Sequence, residues 1–157
     1  MKIAIDNLID KIKETNNPTV IGLDPKYEMI PSCVKSKYEI TLEGIAKCII
    51  EFNKALIDEV CDIVPAVKIQ IAFYEMYGIP GMKAFKETCS YAKQKGMVVI
   101  ADIKRGDIGS TAEGYSNAYL GKTKIGEAEE SIYDIDFVIL IYNRYVFRED
   151  CDTSLSL

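Results

Sequence analysis

The sequence predicts an α/β fold built on a parallel sheet, and three observations carry that expectation. Aliphatic and β-branched runs without strict alternation recur at residues 19–23, 66–71, 97–101 and 137–141, the pattern of strands buried on both faces. Segments with helical spacing of apolar residues separate them, which implies right-handed crossovers between parallel strands. Charge gathers at the ends of these runs, at Asp24 and around Asp102 and Lys104, where α/β folds place their chemistry. Four strand–helix units make half of a (β/α)8 barrel, whose complete form takes about 250 residues. A chain of 157 residues is too short for eight.

Taken in order, Ile5, Leu8, Ile9 and Ile12 predict a short amphipathic helix over 5–14, stopped by Asn16, Asn17 and Pro18. The first strand follows, and Asp24 ends it before Pro25, either as a turn former or as a site residue. Residues 26–40 read as a loop. Thr41 then caps a helix to about residue 62, with Leu42, Ile45, Ile49, Phe52, Leu56 and Val60 as its core stripe. In the second strand Lys68 is the oddity. A Lys inside an apolar strand is costly unless paired, so it points into a polar site or snorkels from an edge. Residues 78–81 read as a loop, and Met82, Phe85, Cys89 and Ala92 as the inner face of a helix closed by Gly96. After the third strand, Ser110 or Thr111 caps a helix to about Leu120, with Ala112, Tyr115 and Tyr119 on its apolar side. A short acidic helix is expected near 126–133, then the fourth strand.

Bulk properties narrow the function. A net charge of −5 argues against a nucleic-acid partner or an anionic membrane surface. The absence of histidine removes His-based triads and most catalytic zinc sites. Five cysteines without C-x-x-C spacing indicate neither a disulfide framework nor a metal site. No signal-peptide core or membrane-spanning run is present, so a cytoplasmic location is expected.

The chemistry concentrates in residues 98–111. Asp102 and Lys104 share one face of a strand end while Ile103 points to the other. Asp107 falls in the following loop, within reach of Lys104 if the chain turns back. On spacing alone, a solvated salt-bridge cluster accounts for this as well as a site does. The pattern D-x-K-R-G-D-I followed by G-S-T is narrower than charge spacing. With I-G-L-D-P at the first strand and K-I-Q-I-A-F-Y-E at the second, the sequence resembles orotidine 5′-phosphate decarboxylases, most closely a bacterial branch, from about residue 6 to 136.

The resemblance implies the N-terminal half of a (β/α)8 TIM barrel and cofactor-free, metal-free decarboxylation of orotidine 5′-phosphate to uridine 5′-phosphate. Carried over by position, Lys104 is the proton donor, and Asp102 lies beside the departing carboxylate. Asp107 fixes Lys104 and reaches the neighbouring subunit's ribose in a homodimer. Asp24 and Lys68 contact the ribose, Ile108 walls the pocket, and Thr111 contacts substrate across the dimer. Carboxylates beside Lys104 favour its charged form, as a proton donor requires and a Schiff-base Lys does not.

The resemblance then fails. Residues 1–141 read as a partial barrel domain and 142–157 as an aberrant or truncated tail, in which Asn143 and Tyr145 echo a family loop but Arg144 replaces its Pro. A truncation or a reading-frame change near residue 139 is the expectation. The Gly and Arg with which the family grips the substrate phosphate are missing. Two alternatives follow: an inactive fragment of that enzyme, or a related magnesium-dependent hexulose-phosphate synthase or sugar-acid phosphate decarboxylase. The R-G-D-I-G-S-T continuation and K-I-Q-I-A-F favour the orotidine enzyme.

Overall fold

The computed structural model describes residues 3–140. The expected tail at 142–157, with Asn143 and Tyr145, lies outside the described residues. Four parallel strands form one sheet in chain order: β1 (Val20–Leu23), β2 (Ala66–Gln70), β3 (Val98–Asp102) and, after a small separate hairpin, the last strand (Phe137–Ile139). Helix α1 (Ala4–Thr15) precedes the sheet, and α2 (Ser32–Lys35) and α3 (Leu42–Val60) link β1 to β2. Helices α4 (Ala72–Glu75) and α5 (Gly78–Gln94) link β2 to β3, and α6 (Gly109–Tyr119) follows β3. The hairpin is β4 (Thr123–Ile125) and β5 (Ala128–Glu130), so the last sheet strand is β6.

Strand alternation divides the sheet into two faces. Leu23, Val67, Ile69, Val99 and Ala101 belong to one buried core with Ile49 and Ile57 of α3 and Phe85, Cys89 and Ala92 of α5. Each such large side chain contributes roughly 1.5–3 kcal/mol by leaving water. The other face carries Gly22, Lys68, Ile100 and Phe137 in register, and beyond them Gln70, Asp102 and Ile139. The polar residues of that row are therefore a product of register.

Cap chemistry explains the element ends. Asn16 closes α1 in the left-handed region, and Thr41 Oγ1 accepts the Gly44 N–H at 3.0 Å to open α3. Gly96, at φ +77°, closes α5. Its N–H donates to the Lys93 carbonyl while the Met97 N–H reaches back to Ala92, a Schellman closure that a left-handed glycine makes cheap.

Four local expectations are corrected. Residues 126–133 hold no acidic helix: Thr123 pairs with Glu130 and Lys124 with Glu129 in an antiparallel hairpin. Gly126 turns it at φ +64°, and Lys124 faces Glu129 across the strands. Residues 78–81 are the first turn of α5, where Pro80 sits among N–H groups that lack helical partners in any case. The loop at 26–40 contains a 3-10 turn (Tyr27–Met29) and α2. Neither Ser110 nor Thr111 caps α6; Ile108 occupies that position with no side-chain bond.

The stripe on α3 is borne out except at its start: Ile49 is in the core and Ile45, Phe52, Leu56 and Val60 pack half-buried against it, while Leu42 is exposed and the fully buried line also takes in Asn53 and Ile57. Asn53 Nδ2 donates to the Tyr74 hydroxyl at 2.8 Å and to Thr88 Oγ1 at 3.2 Å, tying α3 to α4 and α5. Burial pushes the Tyr74 hydroxyl far up from its ordinary value.

Candidate active site

The site lies at the C-terminal ends of β1, β2 and β3. Asp102, the last residue of β3, is 6% exposed. Burying a carboxylate is unfavourable unless it is paired, and three groups meet this one. Lys104 bonds Oδ1. Gln70 Nε2 donates to Oδ2 at 2.9 Å, and Lys68 Nζ stands 3.7 Å from Oδ2. Lys68 also lies 3.3 Å from Asp24 Oδ1. Asp24, Lys68, Asp102 and Lys104 thus form an alternating chain of carboxylate and ammonium groups; β3 ends at Asp102, so Lys104 joins it from the loop and not, as expected, from the same strand face. Lys68 has its polar partners, and the expectation that it turns into a polar site holds.

Lys104 reaches Asp102 from a left-handed backbone, at φ +46°. Such a conformation is costly for a residue with a Cβ and clusters at functional sites. Neighbouring contacts hold it there: the Lys104 N–H donates to the Ile139 carbonyl at 2.9 Å. Arg105, next in sequence, donates from one terminal nitrogen to the Ile103 carbonyl at 2.8 Å and from the other to Glu75 on α4. The loop after β3 is therefore fastened to the segment after β2.

The remaining expected residues stand apart. Asp107 makes no ion pair with Lys104 among the described residues; its Oδ1 instead accepts the N–H of Ile108 at 2.8 Å. Ile108 is 68% exposed, and Thr111 is exposed on the first turn of α6. Sequence reading missed Gln70, whose neutral side chain carries no charge signal, and the Glu75–Arg105 pair, whose members are thirty residues apart. Among the described residues no group of three or more Cys, Asp or Glu converges on one point as a metal site. None of the described helices is long and apolar enough to cross a membrane.

This arrangement sets two ammonium groups around a buried carboxylate at the strand ends, chemistry suited to holding an anion and moving a proton. The sequence model of the "Orotidine 5′-phosphate decarboxylase / HUMPS family" matches residues 17–126. An orotidine 5′-phosphate decarboxylase of Petrotoga mobilis is 39% identical over 138 residues, covering 88% of this chain and 43% of that protein. One from Caldicellulosiruptor saccharolyticus is 36% identical, covering 94% of this chain and 51% of its own. A crystal structure from Toxoplasma gondii, assigned as an orotidine-monophosphate-decarboxylase, superposes with a TM-score of 0.67 at 26% identity, covering 85% of this chain and 39% of that one. The chain spans about half the length of these curated relatives, and its sheet is part of a barrel.

Proposed function

The chain belongs to the orotidine 5′-phosphate decarboxylase family, and from that premise we propose that it carries the proton-donor half of a decarboxylase site. The observation that supports this most is Asp102, buried and flanked by the Lys104 and Lys68 ammonium groups at the end of β3. In this reading the substrate is orotidine 5′-phosphate. Its ring carboxylate departs beside Asp102 as carbon dioxide, and the electron pair of the broken bond stays on the ring carbon. The Lys104 ammonium faces that developing charge and gives its proton to the carbon, yielding uridine 5′-phosphate. Lys104 regains a proton from solvent. No metal or organic cofactor takes part in this scheme.

Asp24 and Lys68 are assigned to the substrate ribose, in keeping with their contact at the ends of β1 and β2. Asp107 and Thr111 are assigned to a second subunit's site in a cytoplasmic homodimer, and Ile108 to the wall of the pocket. The exposure of Asp107 and Thr111 suits a role outward from this chain. Residues 1–141 are the partial catalytic domain, and 142–157 lie beyond it.

The test is turnover of orotidine 5′-phosphate in deuterated water with excess chelator. The reading predicts uridine 5′-phosphate carrying deuterium at the carbon that lost its carboxylate. Magnesium-dependent turnover of a hexulose phosphate or sugar-acid phosphate, with none of orotidine 5′-phosphate, would point to the sugar-phosphate branch instead.

A further inference from the structure

We propose that Gln70 is a positioning residue: its side-chain amide pins the Asp102 carboxylate so that Oδ1 is presented to Lys104. This rests on the reading above, in which Asp102 and Lys104 form the reacting pair. Gln70 and Asp102 are the last residues of adjacent strands and are Cα partners in register. The extended backbone therefore brings both side chains out on one face at one level. A carboxylate can only accept, so the amide must present its nitrogen, and the 2.9 Å bond from Nε2 to Oδ2 fixes which way Gln70 points. Lys68, at 3.7 Å, attracts Oδ2 but lies beyond hydrogen-bond reach. The directional contact on that oxygen is supplied by Gln70.

Without it, rotation about the terminal torsion of Asp102 exchanges the two oxygens and loosens the Lys104 ammonium, whose side chain is nearly half exposed. A cationic side chain at this position would compete with Lys104 for the carboxylate. A neutral donor holds Asp102 and leaves the charge balance of the site unchanged.

The experiment uses the 157-residue chain and two arms. In the first, the side-chain amide of Gln70 is followed by 15N–1H NMR in the wild type and in Asp102→Ala. Loss of the acceptor moves that signal toward those of solvent-exposed glutamines and speeds its exchange with water. An unmoved signal overturns the proposal, and this arm needs no turnover. In the second arm, Gln70→Ala lowers kcat by about tenfold to a hundredfold while KM changes by less than about threefold.

Gln70→Glu places a second carboxyl against Asp102, faced also by Lys68 and Lys104, with Asp24 behind Lys68. Two such carboxyls share a proton. The variant is therefore poor at high pH and recovers relative to wild type as pH falls and the introduced carboxyl becomes a donor again. A ratio of variant to wild type that is flat with pH overturns the proposal. Absence of turnover in the wild type counts against the decarboxylase reading, and the NMR arm still decides the role of Gln70.

Discussion

Lys68 Nζ stands 3.7 Å from Asp102 Oδ2 and joins that carboxylate to Asp24, 3.3 Å away on its other side. One ammonium group thus links the ends of β1, β2 and β3. Replacing it by a neutral side chain of similar length leaves two carboxylates without the cation between them, where an anionic substrate must also sit. Lys68→Met is therefore expected to lower kcat/KM by about a hundredfold or more, mostly through KM. Steady-state kinetics at fixed ionic strength checks this.

Lys104 has two separable properties. Its ammonium is the proposed proton donor, so Lys104→Ala should reduce kcat by at least about a thousandfold. Its left-handed backbone is a matter of stability. Glycine adopts φ +46° at no steric cost, whereas alanine there costs roughly 1–2 kcal/mol. Urea denaturation should find Lys104→Gly at least as stable as Lys104→Ala, the reverse of the usual order. The opposite ranking would mean that the turn is not strained.

Gly81 and Gly114 make a matched pair. A Cβ on Gly81 would lie 1.9 Å from the Tyr74 carbonyl oxygen, where α4 meets α5, and backbone cannot swing away as a side-chain tip can. Gly81→Ala should cost about 3 kcal/mol or more. A Cβ on Gly114, on the exposed side of α6, meets nothing within 4 Å. Gly114→Ala should be stabilising by about 0.5–1 kcal/mol. Denaturation midpoints of the two variants should fall on opposite sides of the wild type.

The cysteines report on the core. Cys33 is exposed, while Cys48 and Cys89 are buried in the α3–α5 layer. Burial pushes both buried thiols up from the ordinary range, Cys89 most strongly. A thiol reagent at pH 8 should modify Cys33 at once and Cys48 and Cys89 only on unfolding, as peptide mapping would show. The linkage sign follows: the unfolded chain loses these protons first as pH rises, so their contribution to stability is present below the ordinary thiol pKa and is lost above it. Replacing Cys89 by Ala should flatten the alkaline fall in denaturation midpoint.

Much of this architecture is legible in the sequence because burial writes itself into residue type. The runs at 66–71 and 97–101 are apolar where helices cover them, and Lys68 and Asp102 interrupt the pattern where they line the site. Asn53 was illegible because a buried amide looks like a solvent-facing one until Tyr74 and Thr88 are seen beside it. The hairpin at 123–130 was misread because an acidic run states charge and not geometry; Gly126 was the signal that a turn stood there. In the site, charged residues were found from spacing and resemblance, whereas Gln70 and the Glu75–Arg105 pair depend on strand register and loop return. The expected approach of Asp107 to Lys104 fails because the loop instead turns Asp107 onto the Ile108 N–H.

Lys104 and Asp102 are the residues proposed to perform the decarboxylation. The most direct measurement is carbon dioxide release from orotidine 5′-phosphate in the presence of chelator. The 157-residue chain is assayed alone and mixed with the half of the Petrotoga mobilis relative that it does not match, each with and without Lys104→Ala. Release is expected, and it should disappear in Lys104→Ala. No release in either format, or release that survives the substitution, would contradict it.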